Sequence, residues 1–207
     1  MLATHMICLL NGVEVEVTFV LAPSVLRVLK RLQAQGPELT EEEIALLGRI
    51  RTGWTVSERR AEIDLQSILR ADRALDVYCA TRNYVFAQKY LEKARKSATD
   101  GDSLTSIYLA RTAVEQSYRS YFASRGFASL GAKWVQFLQA FDFGSPANRS
   151  LFRRCVALLF PVADMRGAGL DDYLAQVNDF LSSTRTAIEA DPLHKIAFSA
   201  CPQIYRL

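Results

Sequence analysis

The chain has 207 residues, half of them hydrophobic and 23% charged, with 25 Lys and Arg against 22 Asp and Glu. A chain of this size buries a real core and fits one domain or one domain with an appendage. The net charge of +3 excludes a polybasic surface, so nucleic-acid binding is permitted but not indicated.

The stretch MICLLNGVEVEVTFV sets Asn11-Gly12 between apolar runs, and Val13, Val15 and Val17 alternate with Glu14 and Glu16. This pattern predicts a small β-hairpin with one half-exposed strand. Pro23-Ser24 opens a short helix that Gly36-Pro37 closes. Thr40 and Glu43 have the spacing of a capping box at the start of the next helix, which Gly53 breaks. Thr55 to Glu58 offers a second capping box.

From Glu58 to Ala98 there is neither Gly nor Pro, so one very long helix or two abutting helices fill the segment. Tyr84, Ala87, Leu91, Ala94 and Ala98 recur at spacings of three and four and share one face. Thr99 to Ser103 reads as a tight turn, with Gly101 as the helix stop and Asp102 or Ser103 as the next cap. Ile107, Ala110, Val114, Tyr118 and Tyr121 continue the same period, so two amphipathic helices are expected to lie antiparallel, face to face. Gly126 ends the second. Ala132 to Phe141 reads as a short apolar segment, FGSPANRS as a loop, Leu151 to Leu159 and Leu170 to Ile188 as helices, and the tail after Pro192 as irregular.

The fold expected is therefore all-α, an antiparallel helical bundle with a small N-terminal β-hairpin and helical appendage. Residues 1–53 form the hairpin and short helices, 54–190 the bundle and 191–207 the tail.

Residues 84–127, AQKYLEKARKSATDGD followed by SIYLARTAVEQSYRSYFASRGF within them, resemble the central helix pair of the HEPN superfamily. These are small helical bundles of nucleic-acid defence systems, toxin pairs and nucleotidyltransferase partners. The likeness rests on an acidic turn, a Tyr-x-Ala-Arg-x-Ala-x-Glu helix and a closing Gly, and extends loosely to Leu181. It implies a homodimer in which the helices carrying the family's Arg face each other, with Arg166 near the two-fold axis.

Active members of that family place a His four to six residues after an Arg. Metal-free RNA cleavage needs a proton carrier near neutral pH and a fixed cation on the phosphate, which His and Arg supply. Here the matching MRGAGLDD has Arg166 but no His after it; Asp171 and Asp172 stand in its place, and a carboxylate repels phosphate. The chain has two histidines. His5 lies outside the bundle, and His194 follows Arg185 by a helical rise of about 13 Å with Pro192 between them.

The reading that follows is a non-catalytic HEPN-like interaction module for a protein or nucleic-acid partner, in a bacterial defence or toxin–antitoxin-type setting. Its alternative is a metal-independent ribonuclease using Arg166 or Arg185 with His194. Arg149, Arg153, Arg154 and Trp54 are the nucleic-acid-binding candidates. Tyr118, Tyr121 and Phe122 form a candidate interaction stripe, which core packing also explains.

The common nucleotide loops, zincin, lipase and EF-hand motifs are absent. Neither a metal nor a cofactor is expected. The cysteines Cys8, Cys79, Cys155 and Cys201 form no CxxC pair and read as buried free thiols in a reducing compartment. The N-terminal residues lack a basic start and a long apolar run, and no eighteen-residue apolar stretch occurs, so the expectation is a cytoplasmic protein without a membrane span.

Overall fold

The computed structural model describes residues 3–10, 13–33, 39–52, 65–71, 73–127, 146–161 and 167–204. The fold is all-α apart from one hairpin. Two compact units divide the chain, Met1–Leu75 and Asp76–Leu207.

In the first unit, β1 (Ala3–Leu10) and β2 (Val13–Val20) pair antiparallel from Ala3↔Val20 to Leu10↔Val13. The expected turn residues Asn11 and Gly12 lie outside the described residues. Next, α1 (Ala22–Gln33) buries Val25, Val28, Leu29 and Leu32, a stripe at helical spacing. The helix α2 (Glu41–Thr52) begins at the capping box that the sequence announces. The Thr40 hydroxyl accepts from the Glu43 amide at 3.1 Å, and the Glu43 carboxylate accepts from the Thr40 amide at 2.9 Å. That carboxylate also accepts from Arg31 of α1 at 2.7 Å, which ties the two helices. A short α3 (Leu65–Ala71) packs against α2. The second capping box and Gly36-Pro37 lie outside the described residues.

In the second unit, α4 (Ala74–Thr99) and α5 (Ser103–Ser124) form the expected helical pair. Of the two readings left open for residues 58–98, abutting helices are the one found, since α3 ends before α4 begins. Gly101 takes a φ of 81°, and its amide and that of Asp102 reach back to the carbonyls of Ala98 and Ser97, closing α4 in a Schellman motif. Asp102 then caps α5 by accepting from the Thr105 amide at 3.0 Å. The same closure recurs at Gly126, φ 94°, where Phe127 folds back edge-on to Phe122 with 6.0 Å between ring centres. The Ser120 hydroxyl donates to the Ala80 carbonyl at 2.6 Å; with the turn at Gly101, this pairing across the helices makes them antiparallel.

After α5 come α6 (Pro146–Leu159), α7 (Ala168–Glu189) and α8 (Pro192–Ile204). Two expectations are corrected here. FGSPANRS is not a loop throughout, because α6 already starts at Pro146: proline's fixed φ and missing N–H suit the first helical position. The tail is not irregular, because Pro192 likewise opens α8, and the Asp191 carboxylate caps it by accepting from the Leu193 amide at 3.0 Å. The proline that ends α7 therefore starts a new helix. The apolar segment 132–141 lies outside the described residues.

The core of this unit centres on α5, whose most extensive packing is with α7, then α6. Ala110, Ala113, Val114 and Tyr118 meet Leu174, Val177 and Phe180 of α7 and Leu151 and Cys155 of α6 within one buried cluster. The alanines let the helix axes approach closely, and the large rings fill the space beyond them.

Candidate functional site

A polar cleft of about 470 Å³ lies between α4 and α7 in the second unit. Its residues come from antiparallel helix faces, which sets Arg95 opposite Asn178 and Tyr84 beside Arg185 and Glu189. Arg95 donates to the Asn178 amide oxygen at 2.8 Å. Arg185 donates to Glu189 at 2.6 Å, and its guanidinium lies 6.0 Å over the Phe198 ring of α8. Tyr84 donates to the Leu181 carbonyl at 3.4 Å. Burial raises its hydroxyl pKa; Glu189 adds to that shift and Arg185 opposes it. Each cation in the cleft is thus already engaged, and Tyr84 is no base at neutral pH.

A second cleft, about 350 Å³, lies where α8 meets the ends of α5 and α7, and includes His194, Arg125, Asp191 and Ser124. Here an imidazole and a guanidinium share one cleft, a pairing that sequence reasoning missed, because Arg125 stands 69 residues before His194, far from the four to six residues that the family's Arg–His spacing calls for. The fold already engages three of these groups and covers the fourth. His194 is 0% exposed, while Arg125 lies 5.2 Å over the Tyr121 ring. Asp191 caps α8, and the Ser124 hydroxyl donates to the Tyr121 carbonyl at 2.6 Å. A ring covered in this way meets a substrate hydroxyl only if its surroundings move.

The sequence candidates are distributed as follows. Arg166 and Trp54 lie outside the described residues. Arg185 and His194 line different clefts, so the proposed pair is not assembled among the described residues. Arg149, Arg153 and Arg154 are exposed on α6. Arg154 donates to the Ser183 hydroxyl at 3.0 Å and covers the Phe180 ring, so it serves α7. Arg149 and Arg153, four residues apart, share the other face. Tyr118, Tyr121 and Phe122 are a buried cluster rather than an exposed stripe. The Tyr121 hydroxyl donates to the Asn148 side chain of α6, which is why a polar tip tolerates that burial. What α5 does expose is Leu104, 83%, and Tyr108, 69%, one turn apart near its start.

Among the described residues no three His, Cys, Asp or Glu gather as a metal-ligand set, and no helix is long and apolar enough to cross a membrane. Cys79 and Cys155 are buried free thiols. Burial raises the pKa values of the Cys155 thiol and the Tyr118 hydroxyl, and pushes Tyr173 up to about 12 against the opposing charge of Arg111. These acids keep protons in the folded state that the unfolded chain releases, so stability is full below the unfolded pKa values and falls as pH rises past them. Thermal midpoints of the full chain should therefore drop between about pH 8 and pH 11, and Tyr118→Phe should lessen the drop. An unchanged midpoint across that range would contradict the burial of these groups.

No family model and no curated protein matches the chain. Among solved structures it is similar to a nucleotidyltransferase-like protein from Exiguobacterium sibiricum, with a TM-score of 0.55 and 15% identity over 92% of the chain. The chain spans 60% of that protein's length. At this identity the likeness speaks for the fold alone.

Proposed function

We propose that the chain is a non-catalytic, HEPN-like helical module that binds a macromolecular partner. The supporting observation is an inversion of exposure in the second unit: the one imidazole there, His194, is sealed, whereas the apolar Leu104 and Tyr108 stand in solvent. Apolar side chains left in solvent are the mark of a contact surface, whereas a covered imidazole takes a proton from a substrate only after its cover moves.

The HEPN-like resemblance adds the setting, a cytoplasmic defence or toxin–antitoxin-type system, and a homodimer built through helices near Arg166. Residues 1–53 serve in this reading as an added partner-binding element.

Pure protein incubated with single-stranded RNA in EDTA is expected to leave the RNA intact. Cleavage that disappears in His194→Ala would overturn the proposal in favour of the ribonuclease alternative. The same RNA distinguishes the partner class. A nucleic-acid partner predicts binding that weakens steeply with salt, and a salt slope shallower by about one for Arg153→Gln.

A further inference from the structure

Among the described residues, the outer edge of β1 has no bulge, proline or charged side chain to keep it from pairing. Its register with β2 runs through eight consecutive pairs without a skipped residue, so no bulge turns the edge away. The strand, ATHMICLL, contains no Pro and no Asp, Glu, Lys or Arg. Among the described residues β2 is its one strand neighbour. Each strand of a two-stranded sheet spends half of its backbone donors and acceptors on its neighbour and leaves the rest facing outward.

The faces are open as well. Met6 and Ile7 are consecutive, so they point to opposite faces of the sheet. They are 48% and 66% exposed, which means that neither face is fully covered at the middle of the strand. An isolated two-stranded hairpin is marginal in water, and three or four strands are the smallest sheet that holds by itself.

We propose that β1 pairs edge to edge with β1 of a second copy of this chain, antiparallel, so that two hairpins become one four-stranded sheet. Charge selects both the edge and the occupant. Antiparallel β1 against β1 sets uncharged positions opposite uncharged positions along the strand. The same contact through β2, VEVEVTFV, would bring Glu14 and Glu16 of one copy against those of the other, which like-charge repulsion opposes. A two-fold axis at Ile7, which sets Ile7 of one copy opposite Ile7 of the other, makes the contact self-complementary and closed, so it stops at a dimer. This interface is an alternative to the helical dimer that the resemblance implies, and the experiment separates the two.

The test is sedimentation velocity on the full chain over a concentration series, comparing wild type with Ile7→Lys and Glu14→Lys. Wild type should dimerise. Ile7→Lys sets two ammonium groups across the axis and should weaken the dimer about tenfold or more, while Glu14→Lys on the other strand should leave it unchanged. Because Ile7 is exposed, the lysine should not disturb the single chain, and circular dichroism checks this.

A wild-type chain that stays monomeric overturns the proposal, as does a dimer indifferent to Ile7→Lys, the result a helix-mediated contact would give. Should Ile7→Lys fail to fold, hydrogen exchange of wild type decides. Amide protection across residues 3–10 that rises with protein concentration supports strand pairing, and concentration-independent protection overturns it.

Discussion

Tyr118→Ala is expected to lower the stability of the second unit by about 3–5 kcal/mol, at the upper end for loss of a buried aromatic ring. Tyr118 has no exposed surface and joins three helices. Its ring meets Phe122 edge-on at 4.9 Å, Phe152 of α6 at 6.4 Å and Phe180 of α7 at 6.5 Å. Truncation leaves a cavity walled by rings that are themselves held by their helices, so the site cannot collapse around it. Tyr118→Phe keeps the ring and should cost no more than about 1.5 kcal/mol. Urea unfolding followed by circular dichroism measures both. A loss under about 1 kcal/mol for the alanine variant would mean that the α5–α6–α7 junction is not where this unit's stability resides.

The second large effect belongs to the first unit. Glu43→Ala should destabilise it by about 2–3 kcal/mol, because one buried carboxylate answers three donors. These are the Thr40 amide at 2.9 Å and the Arg31 guanidinium at 2.7 and 3.4 Å. Arg31 keeps 32% of its side chain exposed, so water takes back part of what it loses, and the effect falls short of that for a fully buried pair. Thr40→Ala removes only the other half of the capping box and should cost about 1 kcal/mol. In the double variant the two losses should not add, since both residues serve the same helix start. Additive losses in urea unfolding would show that the Arg31 contact, not the cap, carries the effect of Glu43.

What could be read in advance, and what could not, follows the range of the interaction involved. The Thr40–Glu43 box, the Gly101 and Gly126 stops and the Asp102 cap were all legible, since each rests on hydrogen bonds between residues three to five apart. The faces of α4 and α5 were legible too, because Tyr84, Ala87, Leu91 and Ala94 repeat the helical period and the structure buries all four. Proline misled twice. At Pro146 and Pro192 it was read as a break, whereas it opens a helix, and the residue type alone does not say on which side of a boundary it stands.

The site was less legible than the fold. Tyr118, Tyr121 and Phe122 fit a packed or an open stripe equally well until α6 and α7 are seen to cover them. Leu104 was not singled out, and Tyr108 only as the first residue of the Tyr-x-Ala-Arg-x-Ala-x-Glu pattern, because an apolar residue on a helix gives no sign by itself that nothing will cover it. Arg185 and His194 are close in sequence yet face separate clefts, and Arg125, far away in sequence, borders the cleft of His194.

The amino-acid sequence by itself determined the all-α class, the hairpin, the long central helix pair and the position of its turns. Those features depend on backbone geometry and on hydrogen bonds between near neighbours, whose energies do not wait for the rest of the chain. Only the tertiary structure decided which aromatic faces are sealed, which apolar ones stay open, and that the imidazole of the helical unit is shut away from solvent. Burial is a joint property of segments tens of residues apart, and no local pattern records which of them will meet.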